Sequence, residues 1–546
     1  MAMKRIILIS PIIFLLFACS GLKKEKADLI IKNATIYTVD QEFRKAEALV
    51  VKNGKFEAVG KEKRILKTYT ADKVIDMEGK YIYPGFIDPH CHFYGYSMNL
   101  RQVDLVGTQS FDEIIQKLKA YNQKTDAKWI IGRGWDQNDW EVKKFPNKAK
   151  LDKAFPETPV FLKRIDGHAA IANSAALEIA NVQADQKVEG GKILTENSKP
   201  TGVLIDNAIS RVAKHVPEPT YQERIQNLMK GQQNCFDVGL TMVADAGLEY
   251  EPTHLMDSLQ KAGKLKMNTY VMLTPTQENI DVFVKQGAYE TEKMHIRSIK
   301  LFADGALGSR GACLLEPYSD DPDNVGFMVT KPEKLRELSE LAYEYNFQVN
   351  THAIGDSANR VVLDIYSDIL SPNNERRWRI EHAQVIHPHD FKTFGEYNII
   401  PAINSTHATS DMYWADERLG KERLKNAYAY KKLLTENGWL PNGSDFPVEN
   451  INPIYGFYAA FARKDLEGKP VNGFQTENAL TRKEALKAMT RWAAKACFEE
   501  DEHGSIEKGK NADFVVTGKD LMQAKEKEVP KIEVIDTYID GQKVTN

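Results

Sequence analysis

His90, His92, His352, His382 and Asp445 are residue types that hold divalent cations, and each stands at the end of a largely apolar run. In extended backbone, residues two apart share a face. His90 and His92 therefore point one way and Cys91 the other, and two neighbouring neutral imidazoles are a natural ligand pair for a divalent ion. Two polar surface histidines give the same spacing, and Cys91 reads as a small core residue rather than a ligand. His352 follows Phe347-Gln348-Val349-Asn350-Thr351, and His382 follows Arg379-Ile380-Glu381. Either alone is as well read as a structural histidine; together, four of the 12 histidines end three such runs. Asp445, in Asn442-Gly443-Ser444-Asp445-Phe446-Pro447, fits an ordinary turn or helix cap. Beside the histidines it becomes a candidate metal ligand and proton shuttle. Lys300 sits within the apolar Arg297–Phe302 run, where an isolated ammonium is costly, so it needs a partner such as Asp304, a route to solvent, or a modification.

A set so dispersed needs a scaffold that gathers strand ends. Apolar strand-like runs alternate with helical segments at Tyr83–His92, Leu240–Ala246, Met267–Leu273, Ile296–Phe302, Phe347–His352, Trp378–His382, Ile399–Ile403 and Leu440–Ser444. Eight βα units predict an α/β fold, a (β/α)8 barrel over 83–504 whose function sits at the C-terminal strand ends. The Phe93–Gly239 stretch between the first two runs is long enough to be an inserted subdomain covering the barrel mouth. Short alternating strands occupy 28–82, with an Asn53-Gly54 hairpin signal. The same style returns in 505–546, and neither stretch has enough strands to bury a face alone. A small β-sandwich built from both termini is expected.

The composition suits a globular chain: 546 residues, 42% hydrophobic, 27% charged, net charge −3. Disorder is excluded as the dominant state, and no surface that would neutralise phosphates is evident, so no nucleic-acid partner is expected. Five cysteines at 19, 91, 235, 313 and 497, without Cys-x-x-Cys, exclude a disulfide scaffold or zinc knuckle. Lys4 and Arg5 precede the apolar run Ile6–Ala18, which is too short to span a bilayer and fits a signal h-region. The segment ending Leu16-Phe17-Ala18-Cys19 resembles the lipobox of a bacterial lipoprotein. That resemblance implies a signal peptide over 1–18, lipidation of Cys19, a polar tether over 19–27, and an exported chain held on a membrane by lipid alone.

Pro84-Gly85-Phe86-Ile87-Asp88-Pro89-His90-Cys91-His92 resembles the first-strand signature of the amidohydrolase superfamily. Lys300-Leu301-Phe302-Ala303-Asp304-Gly305, His352-Ala353-Ile354-Gly355-Asp356, Arg379-Ile380-Glu381-His382-Ala383 and Gly443-Ser444-Asp445-Phe446-Pro447 are similar to its family 3 branch, that of N-substituted formamide deformylase-like enzymes. Gly132-Arg133-Gly134-Trp135-Asp136 and Asp166-Gly167-His168 resemble the insertion of that branch, and 504–513 its closing β motif. The resemblance implies a distorted TIM barrel with one or two divalent ions, usually zinc. His90 and His92 would bind one ion, His352 and His382 another, with Asp445 contacting the first and moving the proton. Lys300 matches the position of a carboxylated lysine bridging both ions. The implied reaction is hydrolysis of a non-peptide C–N bond in a small amide, N-formyl or cyclic amide substrate by metal-activated water.

Substrate contacts are sought at Arg133 and His168 in the insertion and at His407 after the seventh strand, with Trp135 and Trp140 walling an apolar pocket. Asp304, Asp356 and Glu381 are better placed to orient ligands than to react. Two rival classes remain: a metal-free barrel glycosidase using Asp304 with Asp445, which leaves four histidines unexplained, and an inactive lipid-anchored binding protein on the same fold. A homodimer is left open by the sequence.

Overall fold

Alternating apolar and polar residues at both chain ends form two facing sheets. The computed structural model describes residues 24–545 apart from 126 and 127; the apolar leader and Cys19 lie outside the described residues. One sheet holds Glu25–Lys32, Ala48–Lys52, Lys55–Gly60 and Tyr69–Asp76. The other joins Thr35–Tyr37, Lys45–Ala46 and Tyr81–Pro84 to Phe514–Thr517, Val534–Ile539 and Gln542–Lys543. Leu29, Ile31, Ile36, Val51, Phe514 and Tyr538 fill the space between them. The sandwich thus draws on both termini, as expected. Its first strand starts at Glu25, inside the expected 19–27 tether, because Tyr69–Asp76 pairs with it in parallel from Glu25 onward.

The expected first barrel strand, Tyr83–His92, divides. Tyr81–Pro84 pairs with Phe514–Thr517 in the sandwich, and Phe86–Cys91 enters the barrel. The switch is Gly85, where a Cβ would lie 2.1 Å from Thr241 Oγ1. Seven parallel strands follow one another around the sheet: Phe86–Cys91, Leu240–Leu248, Asn268–Leu273, Met294–Phe302, Gln348–Ala353, Arg379–His382 and Ile400–Ala402. The eighth expected strand is an extended seam rather than a ladder, joined to the seventh through an isolated bridge between Ile403 and Asn442. It still closes the barrel. Gly443 N–H donates to Ile403 O at 2.9 Å, Asp445 N–H to His90 O at 2.8 Å, and His92 N–H to Phe446 O at 2.8 Å.

The insertion forms its own six-stranded sheet, from Val103–Asp104 to Lys199–Asp206, over a separate core that includes Leu105, Ile114, Leu118, Trp135 and Leu162. It is shorter than the expected 93–239. Helix Tyr221–Asp237 opens with a Thr220/Glu223 capping box and buries Leu228, Cys235 and Phe236 in the barrel core. An amphipathic helix behind a capping box is the outer layer of the first βα unit, so the inserted part ends near Thr220.

Candidate metal centre

The barrel places His90 on its first strand and Lys300, His352 and His382 on its fourth, fifth and sixth, all at one end. The seam adds Asp445 between the last strand and the first. His92 Nε2 lies 3.1 Å and His90 Nε2 3.6 Å from Asp445 Oδ1. His90, His92 and Asp445 offer three ligand atoms that all lie within 4.8 Å of one another. The His90 and His382 rings are 5.0 Å apart, and those of His382 and His352 4.5 Å. All five expected side chains are thus neighbours, and all but His92 are fully buried. His352 stands at the edge of the set, with its Nε2 3.3 Å from Gly305 O.

The surrounding residues fix ring orientation. His90 Nδ1 lies 2.6 Å from Glu381 Oε2, and the other Glu381 oxygen is 2.6 Å from Arg379 Nε. Arg379 also donates to Pro89 O at 2.7 Å. His92 Nδ1 faces Ala246 O at 2.9 Å, which leaves its Nε2 for Asp445. Asp88 accepts the Ser444 hydroxyl at 2.6 Å and the His90 N–H at 3.1 Å, pinning the seam to the first strand. Lys300 Nζ rests 3.2 Å from His90 Nε2. Asp304 is not its partner: that carboxylate accepts the backbone N–H groups of Cys313, Ile354 and Gly355.

Burial and charge set the protonation states. Burial lowers His90 to about 4, helped by the Lys300 ammonium, and depresses His352 and His382 well below the ordinary imidazole range. Neutral imidazoles are the ligand form. Burial would raise Asp445, yet His90, His92 and His382 hold it well below the usual carboxylate range. Burial likewise opposes ionisation of Glu381, but Arg379, His90 and Lys300 bring it to about 2. Lys300 falls to about 8, chiefly through burial.

A cavity of about 630 Å³ opens above the centre between barrel and insertion, with Arg133, His168, His352, His382, His407 and Asp445 among its lining. His168 reaches it from the insertion, its Nδ1 2.5 Å from Asp206 Oδ1 and its ring 5.0 Å from that of His352. Burial alone would lower His168, but Asp206 raises it to about 9. Arg133 donates to Ile165 O at 2.7 Å, and its buried Nε has no hydrogen-bond partner. His407 approaches Asp445 Oδ2 at 3.8 Å. Trp135 and Trp140 do not wall the cavity. Both are buried in the insertion core, and their indole N–H groups donate to Leu162 O and Thr108 O at 2.9 Å. Trp135 packs into the core of the inserted sheet instead of facing substrate.

Sequence reasoning missed Arg164, a fully buried guanidinium bound to Asp136, Asp166 and Gln137 in the cavity wall. It also missed Asp206 and Arg379. Neither arginine stands out along the chain, since Arg164 follows Lys163 and Arg379 lies among Arg376, Arg377 and Glu381. Asp206 leaves no signal either, because its role depends on a φ of 46° that turns it towards His168.

Residues 73–545 match the amidohydrolase family. The protein LONG AFTER FAR-RED 3 of Arabidopsis thaliana is 33% identical over 538 residues, covering 95% of this chain and 91% of its own. N-substituted formamide deformylase of Arthrobacter pascens is 25% identical over 539 residues, covering 94% and 97%. The crystal structure of an uncharacterized metal-dependent hydrolase from Pyrococcus horikoshii OT3 superposes with a TM-score of 0.75 at 29% identity, covering 91% of this chain and 99% of that one. With a match that spans most of its length and a cluster of histidines and an aspartate at the strand ends, the chain belongs to the amidohydrolase family.

Proposed function

We propose that the protein is a metal-dependent hydrolase that cleaves a non-peptide C–N bond in a small amide, N-formyl or cyclic amide compound. The convergence of His90, His92 and Asp445 carries this reading. Their donor set, two imidazoles and a carboxylate, suits a borderline-soft ion such as zinc, and the orienting carboxylate on His90 suits a ligand role. Such an ion, when bound, supplies Lewis acidity and brings the pKa of a water from about 15.7 towards ~7.

This chain's own residues supply the rest. Asp445 accepts a proton from the attacking water and returns it to the departing nitrogen. His168, held by Asp206, faces the substrate carbonyl from the insertion side, where a preorganised donor is worth roughly 3–4 kcal/mol. Arg133 binds a substrate oxygen or carboxylate through its unpartnered edge. Lys300 is close enough to serve the centre after carboxylation: its neutral Nζ adds to carbon dioxide, forming one N–C bond as one C=O π bond opens to a carboxylate, and releasing one proton. The likeness to the deformylase supports N-formyl and N-acyl compounds as the first substrates to try. Export and lipid attachment at Cys19 complete the proposal, and labelling with a radioactive fatty acid tests them.

The functional test is hydrolysis of a panel of N-formyl, N-acyl and lactam compounds before and after chelation. Turnover that disappears with chelator and returns with zinc is expected, and His90→Ala is expected to lose metal and turnover together. Chelator-resistant turnover, or full activity of His90→Ala, refutes the reading.

A further inference from the structure

We propose that the substrate is an amide carrying a second, protonated amine on a short spacer, a mono-N-formyl or mono-N-acyl diamine, whose ammonium is received by Asp139, Asp411 and Glu449. This names the substrate class of the hydrolase proposed above and rests on that reading. Seven carboxylates but only two guanidiniums line the cavity over the centre. Four of the carboxylates have a partner or a task. Asp136 and Asp166 share Arg164, Asp104 accepts the Val106 N–H at 3.0 Å, and Asp445 serves the centre. Asp139, Asp411 and Glu449 remain. They come from three separate segments: the turn Gln137–Asp139 of the insertion, the end of helix Ser405–Asp411, and the bend four residues after Asp445. Asp411 Oδ2 accepts the Tyr428 hydroxyl at 2.8 Å and Gln384 Nε2 at 3.3 Å, and Glu449 Oε1 accepts the Ser410 hydroxyl at 2.7 Å. Those donors are neutral, and none of the three carboxylates has a lysine or arginine partner among the described residues.

A second, independent observation points to a ligand in the same place. His407, 8% exposed, lines this cavity, and its Nε2 is buried without a hydrogen-bond partner. Asp445 Oδ2, at 3.8 Å, is beyond hydrogen-bond reach. Buried polar atoms are almost always paired, so this ring edge calls for a polar group brought by the ligand, which a substrate N–H supplies. Asp411 follows His407 by one turn of the same helix, about 6 Å along its axis at ~1.5 Å per residue. Three backbone bonds cover about 3.8 Å, so a chain of roughly five bonds spans that distance. Leu307, Trp414 and Ile451 in the same lining give such a spacer an apolar surface. Burial opposes ionisation of the receiving carboxylates, raising Asp411 to about 7 and Glu449 above its ordinary range. An ammonium among them relieves that cost, whereas a substrate carboxylate would add to it.

The test is substrate preference of the zinc-loaded full chain. Hydrolysis of mono-N-formyl-1,4-diaminobutane is compared with that of N-formylpentylamine, neutral and of equal length, and of 5-formamidopentanoate, which ends in an anion. The diamine is expected to show a kcat/KM about tenfold or more above that of the neutral compound, the worth of a hydrogen bond to a charged group, and the anion the lowest. Glu449→Gln and Asp411→Asn should each shrink the ratio of diamine to neutral compound several-fold. Equal rates, or a preference for the neutral or anionic compound, overturn the inference and leave the metal-dependent reading intact. So does a ratio that neither variant changes. No turnover of any of the three also overturns the inference, and the wider panel then decides the metal-dependent reading separately. The ratio is measured on wild type first, so a variant that fails to fold does not spare the proposal; Asp139→Asn, on the exposed side of the cavity, then replaces it and should shrink the ratio in the same direction.

Discussion

Glu381→Ala probes the link between the core and the metal centre most directly. The Glu381 carboxylate takes two contacts from Arg379, at 2.6 and 2.9 Å, and lies 2.6 Å from His90 Nδ1. None of these three side chains is more than 1% exposed. Removing one member of a buried ion pair strands the other charge and costs about 3–5 kcal/mol. Arg379 keeps its 2.7 Å bond to Pro89 O, which places the expected loss in the lower half of that range. His90 also loses its orienting carboxylate, worth roughly 10–100-fold in metal affinity. Denaturant unfolding followed by tryptophan fluorescence reads the first effect, and competition with a chromogenic chelator reads the second. Glu381→Gln, which keeps the shape and a carbonyl acceptor, should fall between wild type and Glu381→Ala on both scales. Arg379→Met/Glu381→Leu removes both charges and should be more stable than Glu381→Ala while binding metal as weakly. Glu381→Ala within ~1 kcal/mol of wild type and with unchanged metal affinity would refute the reasoning, since breaking a buried pair cannot be that cheap.

Gly443→Ala should loosen the seam, because its Cβ would meet His90 N and O at 2.8 Å and Asp88 Oδ1 at 2.9 Å; overpacking of about 1–3 kcal/mol and weaker metal retention are expected in thermal melts and metal analysis. Trp135→Ala should open a hole in the insertion core worth roughly 3–5 kcal/mol, seen as faster limited proteolysis between residues 100 and 220, with metal content unchanged because the ligands come from the barrel. Under the barrel, His503 Nδ1 lies 3.1 Å from Asp513 Oδ2; burial would lower His503, but Asp513 raises it above its ordinary 6.5. Its stabilisation is therefore fully present below pH 6.5, provided Asp513 stays ionised, and is lost as pH rises through the folded-state value. The stability gap between wild type and His503→Gln, measured by denaturant midpoints from pH 5 to 9, should narrow with rising pH; a gap that widens contradicts this sign.

The sequence by itself determined the fold and which side chains gather at the strand ends, because both rest on local signals. The barrel strands are largely apolar runs, several of which end at a chemistry-bearing residue, and strand ends of a closed barrel must meet. His90, His92, His352, His382 and Asp445 were legible for that reason. The tertiary structure decided what depends on distant partners. Residues Glu25–Ala27 became strand because Tyr69–Asp76 lies beside them. Gly85, not the end of the apolar run, divides sandwich from barrel because Thr241 leaves no room for a Cβ. The eighth strand survived only as a seam held by His90 and Ile403. Trp135 turned inward because the inserted sheet has its own core to fill. The two orientations of Asp445, one oxygen towards His92 and the other towards His407, arise from backbone bonds between segments far apart in the chain. No spacing along the chain encodes the direction in which a carboxylate divides its oxygens.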